Sequence, residues 1–432
     1  MSVNLEAVKF NQAVLTSNDG ERAIEISPYI SSFDYFEDIL SPSITAQAYI
    51  TDTAGLYNGL PIRSGERFDV EIANLMGTLS RKEDHPLYVT GVSNYMSRES
   101  SETFVLHLSS IEAINNETTR CSKKYDNKSS ISEHVKDILT NTLQTDRIGT
   151  IEGTVNSYGF YGNLKKPFSV LTWLGPKAVP SSSSASGTSG SGETGKSKGT
   201  SGYFFFENAD GFNFRSIESL VSKTTESVGG DDKEMQVFKY SSAIEGGANF
   251  SNANKIIHHV LEKNTDLVRN LRIGMYGNHT YFFDPYKMLL DDFEYTLSQE
   301  LGNKLGENDN FNLPEFFADV PSRILVRTSD RGMFTDAIEE SSGRDNADMA
   351  KSFARYNLLF TQALNINVPL NASLKAGEIV KVYLPDVASN TNARVEVDEE
   401  GSGYYLIKNL RHHFEKGKAT TSMTLIRDSY GL

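Results

Sequence analysis

Apolar and polar residues alternate along much of the chain. In Ser43–Ile50 the side chains of Ile44, Ala46, Ala48 and Ile50 share one face, and Phe68, Val70 and Ile72 do the same. Tyr88, Val89 and Val92 follow the pattern loosely, and Phe104, Leu106 and Leu108 follow it strictly. A period of two, broken by Gly, Asn and Ser, predicts antiparallel strands. The period changes after Ile114. Ser130 and Glu133 form a capping box ahead of a helical stripe of Ile131, Val135, Ile138, Leu139 and Leu143. A second helix is expected from Pro167, with Phe168, Leu171 and Leu174, ending at Gly175-Pro176.

Residues 181–202 interrupt the pattern. Fifteen of these 22 residues are Ser or Gly. Such a segment buries too little apolar area to offset the entropy of ordering it, so a flexible loop is expected. Tyr203–Phe206 and Phe212–Phe214 flank Asp210-Gly211, which predicts a hairpin. Further on, Ile256, Ile257, Val260 and Leu261 read as a short helix. Leu271–Met275 and Tyr281–Leu290 read as strands around Gly277-Asn278. The polar stretch 297–345 reads as an irregular insertion, and a helix is expected from about Ala347 to Phe360 on the spacing of Met349, Phe353, Tyr356 and Phe360.

Three blocks occur twice, in the same order. Ser43–Ile50 corresponds to Ala363–Leu370. Arg63–Ile72 corresponds to Lys375–Leu384, with Gly65-Glu66 matching Gly377-Glu378 and Val70 matching Val382. Leu87–Val92, a polar turn and Thr103–Leu108 correspond to Tyr405–Leu410, a polar turn and Thr420–Leu425. Each copy reads as a glycine-centred turn feeding an alternating strand, followed by a hairpin. Antiparallel strands resemble one another in general, but the shared order and the shared Gly-Glu favour a duplicated domain that closes as a barrel or sandwich.

Composition narrows the classes. A chain of 432 residues is expected to form two to four units. The 44 Tyr and Phe residues favour strands. The formal charge of −14 argues against generic nucleic-acid gripping. The lone Cys121 excludes an internal disulfide framework. No signal peptide is read at Met1–Leu15, and no apolar run is long enough to span a bilayer.

The segments Leu370–Glu378, Gly403–Ile407, His413–Gly417 and Leu425–Asp428, with Ala354-Arg355 upstream and Gly202–Phe214 after the Pro167 helix, resemble the baseplate hub family of contractile-tailed phages, including cyanophage and related myovirus hubs. They also look like the hub half of type VI secretion spike proteins. The resemblance spans most of the chain in order, through motifs that are loose in residue identity. The Ser/Gly loop and the 297–345 stretch depart from it.

The resemblance implies a mainly β fold with α+β insertions: two tube-type antiparallel β-barrel or sandwich domains and an inserted α/β domain. On that reading, residues 1–113 are the first tube-like domain and 114–235 the insertion with loop 181–202. Residues 236–345 hold the first strands of the second tube-like domain and the 297–345 insertion, and 346–432 hold its helix and closing strands. The resemblance further implies a homotrimer whose six tube-like units form a pseudo-sixfold ring between a hexameric tail tube and a trimeric central spike, as a structural, non-enzymatic part of the virion tail baseplate assembled in the host cytoplasm. Spike, tube or tube-initiator and baseplate wedge proteins would be its partners. An acidic channel would let DNA pass without holding it.

Competing chemistry is weaker. Gly190–Ser197 matches the P-loop pattern in full. A nucleotide site needs a hydrophobic strand before that loop and a helix after it, and Ser181–Ser184 and Lys198–Gly202 supply neither. A P-loop nucleotide-binding protein, or a spike or receptor-binding protein, are the alternative readings. His258-His259 and His412-His413 are adjacent, so their rings point apart and chelate one metal poorly; they are expected at the surface or in hairpins. Asp291-Asp292 and Glu339-Glu340 read as solvated charges rather than a glycosidase pair. Glu307–Asn310 lacks the rest of a calcium loop. No catalytic, cofactor-binding or metal-ligating residue is assigned, and no cofactor is expected.

Overall fold

The computed structural model describes residues 9–74, 77–180, 202–222, 235–240, 254–263, 266–285, 288–296, 304–306, 320–328, 342–386, 397–415 and 418–431. The P-loop-like Gly190–Ser197, Glu307–Asn310 and Glu339-Glu340 lie outside them.

The chain is mainly β. The opening region holds β1 (Lys9–Thr16), β2 (Ala23–Glu25), β3 (Ile30–Asp38), β4 (Thr45–Asp52), β5 (Arg67–Asn74), β6 (Gly77–Arg81), β7 (Leu87–Ser97) and β8 (Glu102–Ser109), with a short helix α1 (Leu56–Gly59). Their hydrogen-bonded order is β3-β4-β8-β7-β5-β1, all antiparallel. In a flat sheet β3 and β5 would stand four strand spacings apart, roughly 19 Å. Instead the Phe33 and Phe68 rings lie 6.1 Å apart. The sheet therefore curls until its inward faces meet. Burial of Leu15, Phe33, Ala48, Phe68, Val89 and Leu106 in one cluster drives that closure.

A middle region follows. It contains α2 (Ile111–Thr118), β9 (Lys124–Tyr125), α3 (Ile131–Asp137), β10 (Ile148–Ile151), β11 (Phe160–Tyr161), α4 (Pro167–Leu174), β12 (Tyr203–Asn208), β13 (Gly211–Ser216) and α5 (Ile217–Leu220). The expected capping box is present: the Ser130 hydroxyl accepts from Glu133 N and the Glu133 carboxylate accepts from Ser130 N at 2.8 Å. Pro167 begins α4 as expected. The hairpin of β12 and β13 turns through Ala209-Asp210, with Gly211 already paired to Asn208 at φ +123°. Here β10 pairs in parallel with β13, and Phe205, Phe212 and Phe214 pack with Leu139 and Leu171.

The closing region holds β14 (Val237–Tyr240), β15 (Lys255–Ile256), β16 (His258–Lys263), α6 (Leu267–Ile273), β17 (Gly277–Asp284), β18 (Leu289–Thr296), β19 (Arg323–Thr328), α7 (Ser342–Leu358), β20 (Gln362–Pro369), β21 (Ile379–Tyr383), β22 (Gly403–Glu415) and β23 (Lys418–Arg427). Its main order is β16-β20-β23-β22-β21-β14. Strands β18, β17 and β19 form a separate sheet.

Some sequence expectations fail here. Residues 256–261 are extended, not helical: β16 is held by β20, and the β-branched Ile and Val residues tolerate that backbone well. Leu271–Met275 does not form a strand. Its first residues end α6, which Asp266 caps through Arg269 N at 2.9 Å and which Gly274 closes at φ +71°. The 297–345 stretch, expected to be irregular, includes β19 and the first turn of α7. The turn between β17 and β18 falls after Asp284 rather than at Gly277-Asn278.

Candidate functional site

The repeated blocks superimpose in their hydrogen bonding. Gly65 N donates to Val89 O at 2.7 Å, and Val89 N donates to Glu66 O at 2.9 Å. In the second copy Gly377 N donates to Ile407 O at 2.9 Å, and Ile407 N donates to Glu378 O at 2.9 Å. Both glycines have positive φ, +102° and +87°. Both glutamates turn back to accept from the backbone three residues earlier, Glu66 from Arg63 N at 2.6 Å and Glu378 from Lys375 N at 3.2 Å.

The hairpins agree equally well. Val89 pairs with Leu108 and Ile407 with Leu425, and a bulge follows each, at Val89/Gly91 and at Ile407/Asn409. The cross-strand partners, Ala46 of Leu108 and Leu364 of Leu425, fix the third block. Its copies are offset by two residues from an end-to-end match, which keeps the same face inward. Five strands thus recur in one order and one sense, β3-β4-β8-β7-β5 as β16-β20-β23-β22-β21. Beyond them the copies differ: β1 runs antiparallel to β5, whereas β14 runs parallel to β21.

The two copies join edge to edge. β22 outruns β21, and its second half pairs antiparallel with β3, Arg411 opposite Phe36 and His413 opposite Asp34. On the outer face Arg411 grips the buried Asp34 carboxylate through Nε at 2.8 Å and Nη2 at 2.9 Å, and His413 Nδ1 lies 2.6 Å from the same carboxylate. On the inner face His412 is buried, 1% exposed. It stacks on Tyr35, and Nδ1 lies 2.9 Å from Thr421 Oγ1. Burial lowers its pKa to about 4. The expectation for the pair is the surface or a hairpin, and both histidines lie in the β22–β23 hairpin. The pair does point two ways, as strand neighbours must, but one of those ways is into the core. His258 is exposed and His259 half-buried against Tyr240.

A buried polar cluster locks the three regions together. Glu37, on β3, accepts from Ala376 N at 2.9 Å and from Tyr35 Oη at 3.0 Å, while Arg81 Nη2 donates to Tyr35 Oη at 2.7 Å. Burial raises the Glu37 carboxyl to about 7. Glu207, on β12, accepts from Ile44 N at 3.0 Å and Ser110 Oγ at 2.7 Å and pairs with Arg147. Sequence reading missed these residues, since nothing in their spacing marks them as partners.

The outer face of the joined sheet mixes polar side chains with apolar ones such as Phe36 and Val260. Gln47, Asn365, Asn409, Arg411, Ser422 and Thr424 line a depression that crosses from one copy to the other. Its charges are partnered, Arg411 with Asp34 and Lys408 with Asp38 at 3.0 Å. Asp291 and Asp292 lie on β18, and Asp292 is 3.1 Å from His279. Among the described residues no group of three or more His, Cys, Asp or Glu side chains converges to hold a metal ion. No helix among them is long and apolar enough to cross a membrane.

No family model matches the chain, and no curated protein matches it in sequence. Solved structures do match. The 43 kDa tail protein of prophage MuSo2 from Shewanella oneidensis aligns over 98% of this chain and 100% of its own at a TM-score of 0.53 and 10% identity. The tail protein from Neisseria meningitidis MC58 aligns over 96% of both chains at a TM-score of 0.51 and 11% identity. An E. coli type VI secretion component, described as structurally similar to the T4 bacteriophage tail proteins gp27 and gp5, aligns over 99% of this chain and 78% of its own at 11% identity, with a TM-score of 0.43, too loose to add to the fold assignment. The two neighbours that match above a TM-score of 0.5 are thus both tail proteins. The chain has the tail-protein fold.

Proposed function

We propose that this protein is a structural baseplate hub subunit of a contractile phage tail, without catalytic activity. The observation that carries the reading is the twofold recurrence of one strand order inside one chain, down to the Gly-Glu turn and the bulge after it. Three such chains present six β-units, so a trimer can stack on a hexameric tail tube while its remaining parts keep threefold symmetry for a central spike. The proposal takes residues 1–113 and 236–432 as the two tube-like units and 114–235 as the domain that braces them. The full-length match to phage tail proteins supports it at the level of fold. The outer sheet face would line the channel. Its amides, hydroxyls and paired ions offer phosphate little net attraction, which suits a wall past which DNA slides. Partners would be the spike, tube or tube-initiator proteins and baseplate wedges, in the virion tail, with assembly in the host cytoplasm.

Mass in solution combined with negative-stain imaging tests the reading. The expected result is a particle of three chains with a central hole. A protein that stays monomeric at high concentration and also fails to ring when mixed with its spike would overturn it.

A further inference from the structure

We propose that the turn at Gly162–Lys165 and the aromatic cluster beside it form a docking surface for an acidic segment of another protein, one that carries an aliphatic or aromatic side chain among its carboxylates. The inference does not depend on how copies of this chain assemble.

The turn works against the stability of the fold. Lys165 N donates to Gly162 O at 3.0 Å, and both central residues have left-handed backbone, Asn163 at φ +50° and Leu164 at φ +55°. Primed hairpin turns use two central residues of positive φ and favour Asn-Gly there, because glycine enters that region freely. Asparagine tolerates such a backbone, but a leucine is an outlier in it, since its Cβ crowds the following carbonyl oxygen. The conformation is pinned from the other side: Leu164 N donates to Cys121 O at 3.0 Å, and Cys121 N donates to Lys165 O at 2.9 Å. Burial gives little in return, for Leu164 is 66% exposed. Folding thus favours neither the backbone nor the side-chain position of this residue. Strain of that kind collects where a surface has to meet a ligand.

The neighbouring groups define the chemistry of the partner. Lys165, next along the chain, sets its Nζ 5.6 Å from the centre of the Trp173 ring. Lys177 Nζ lies 4.5 Å from the same ring and 5.0 Å from that of Tyr158. Phe160 and Tyr158 meet the half-buried Trp173 edge-on, with centroids 5.5 and 5.8 Å away. Tyr161, at the end of β11, is 42% exposed. Ammonium groups held over a ring are ordered before any carboxylate arrives, which reduces the entropy lost on binding. The chain as a whole carries −14, yet residues 114–180 hold nine Lys and Arg against six Asp and Glu. The patch is therefore a basic and apolar island on an acidic protein. It attracts a carboxylate-rich segment that the rest of the surface repels, and Leu164 offers that segment an apolar contact.

Trp173 is the only tryptophan of the chain, so its emission reports on this surface. The probe is a random copolymer of Glu and Tyr, titrated into the full chain under selective tryptophan excitation, with polyglutamate and oligothymidylate as controls. The copolymer is expected to change the Trp173 emission saturably, and more weakly as salt is added. Leu164→Gly is expected to weaken binding about tenfold, the share of one buried leucine. The same variant is expected to keep or raise the thermal midpoint, because glycine relieves the turn. Lys165→Glu is expected to weaken binding with an unchanged circular dichroism spectrum. A lower thermal midpoint in Leu164→Gly would show that the leucine serves folding and would overturn the proposal. So would the lack of a saturable response to the copolymer. Polyglutamate or oligothymidylate binding as tightly as the copolymer would reduce the surface to a general anion patch and overturn the apolar contact. Emission that changes with protein concentration alone would assign the surface to a second copy of this chain, against the proposal.

Discussion

Arg411 holds Asp34 with both arms of its guanidinium, and in doing so ties the last long hairpin of the chain to one of its first strands. The Asp34 side chain is 2% exposed and that of Arg411 44%. Asp34 therefore depends on this partner far more than Arg411 depends on it.

Replacing Arg411 with Ala is expected to destabilise the fold by about 1–2 kcal/mol, the cost of a charged hydrogen bond reduced by partial solvation and by His413 remaining beside the carboxylate. Urea unfolding checks it. A loss under ~0.3 kcal/mol would mean that the junction is held by backbone bonds alone.

The two turn glycines should respond unequally. Both Gly65→Ala and Gly377→Ala place a Cβ in left-handed backbone, at about 1–2 kcal/mol each. At Gly65 the new atom meets the Asn18 side chain at 2.9 Å. At Gly377 it meets the Phe206 ring at 2.8 Å, and that ring is fully buried in the contact with the middle region. Gly377→Ala is expected to cost more, measured by the difference in thermal midpoints.

Two buried groups on either side of Tyr35 give opposite pH dependences. The Glu37 carboxyl is raised to about 7 in the fold. The native state binds the extra proton, so stability falls as pH rises from about 4.5 to 7. The full effect is roughly 3 kcal/mol. His412 is lowered to about 4. There the unfolded chain binds the extra proton, so stability rises from pH 4 to about 6.5. The two slopes oppose each other between about pH 4.5 and 6.5. Glu37→Gln should leave a stability that increases with pH across that window, and His412→Gln one that decreases. Denaturation series at half-unit pH steps on the two variants decide it: a Glu37→Gln profile that fails to rise contradicts the His412 assignment, and a His412→Gln profile that fails to fall contradicts the Glu37 one.

Arg355 on α7 pairs with Asp428 at 2.7 Å, each side chain being 1% exposed. Asp428 also accepts from Leu305 N at 3.0 Å. Arg355→Ala strands a buried carboxylate and is expected to cost about 3–5 kcal/mol. Exchanging both partners for apolar residues of similar volume should recover much of that, which a double-mutant cycle would read.

The sequence showed the strands most clearly where one face is buried and the other solvated. Ile44–Ile50 and Phe104–Leu108 are such segments, and so are the repeated Gly-Glu turns, because only glycine accepts that backbone without cost. It misled at residues 256–261, whose four apolar side chains fit a helical spacing until β20 supplies strand partners. It also misled at Leu271–Met275, where the structure ends a helix that Asp266 caps and Gly274 closes. β3 was not singled out as part of the repeat, and with it went Asp34, Tyr35 and Glu37.

Alternation, turn glycines and the order of blocks were thus settled by local chemistry: side-chain period and backbone sterics act over a few residues and leave a readable trace. Which edges meet was settled only in three dimensions. Backbone hydrogen bonds do not distinguish one strand from another. That β22 is capped by β3 follows from where the curled sheets bring their edges and from the few buried polar groups, Asp34 and Glu37 among them, that have partners in that arrangement.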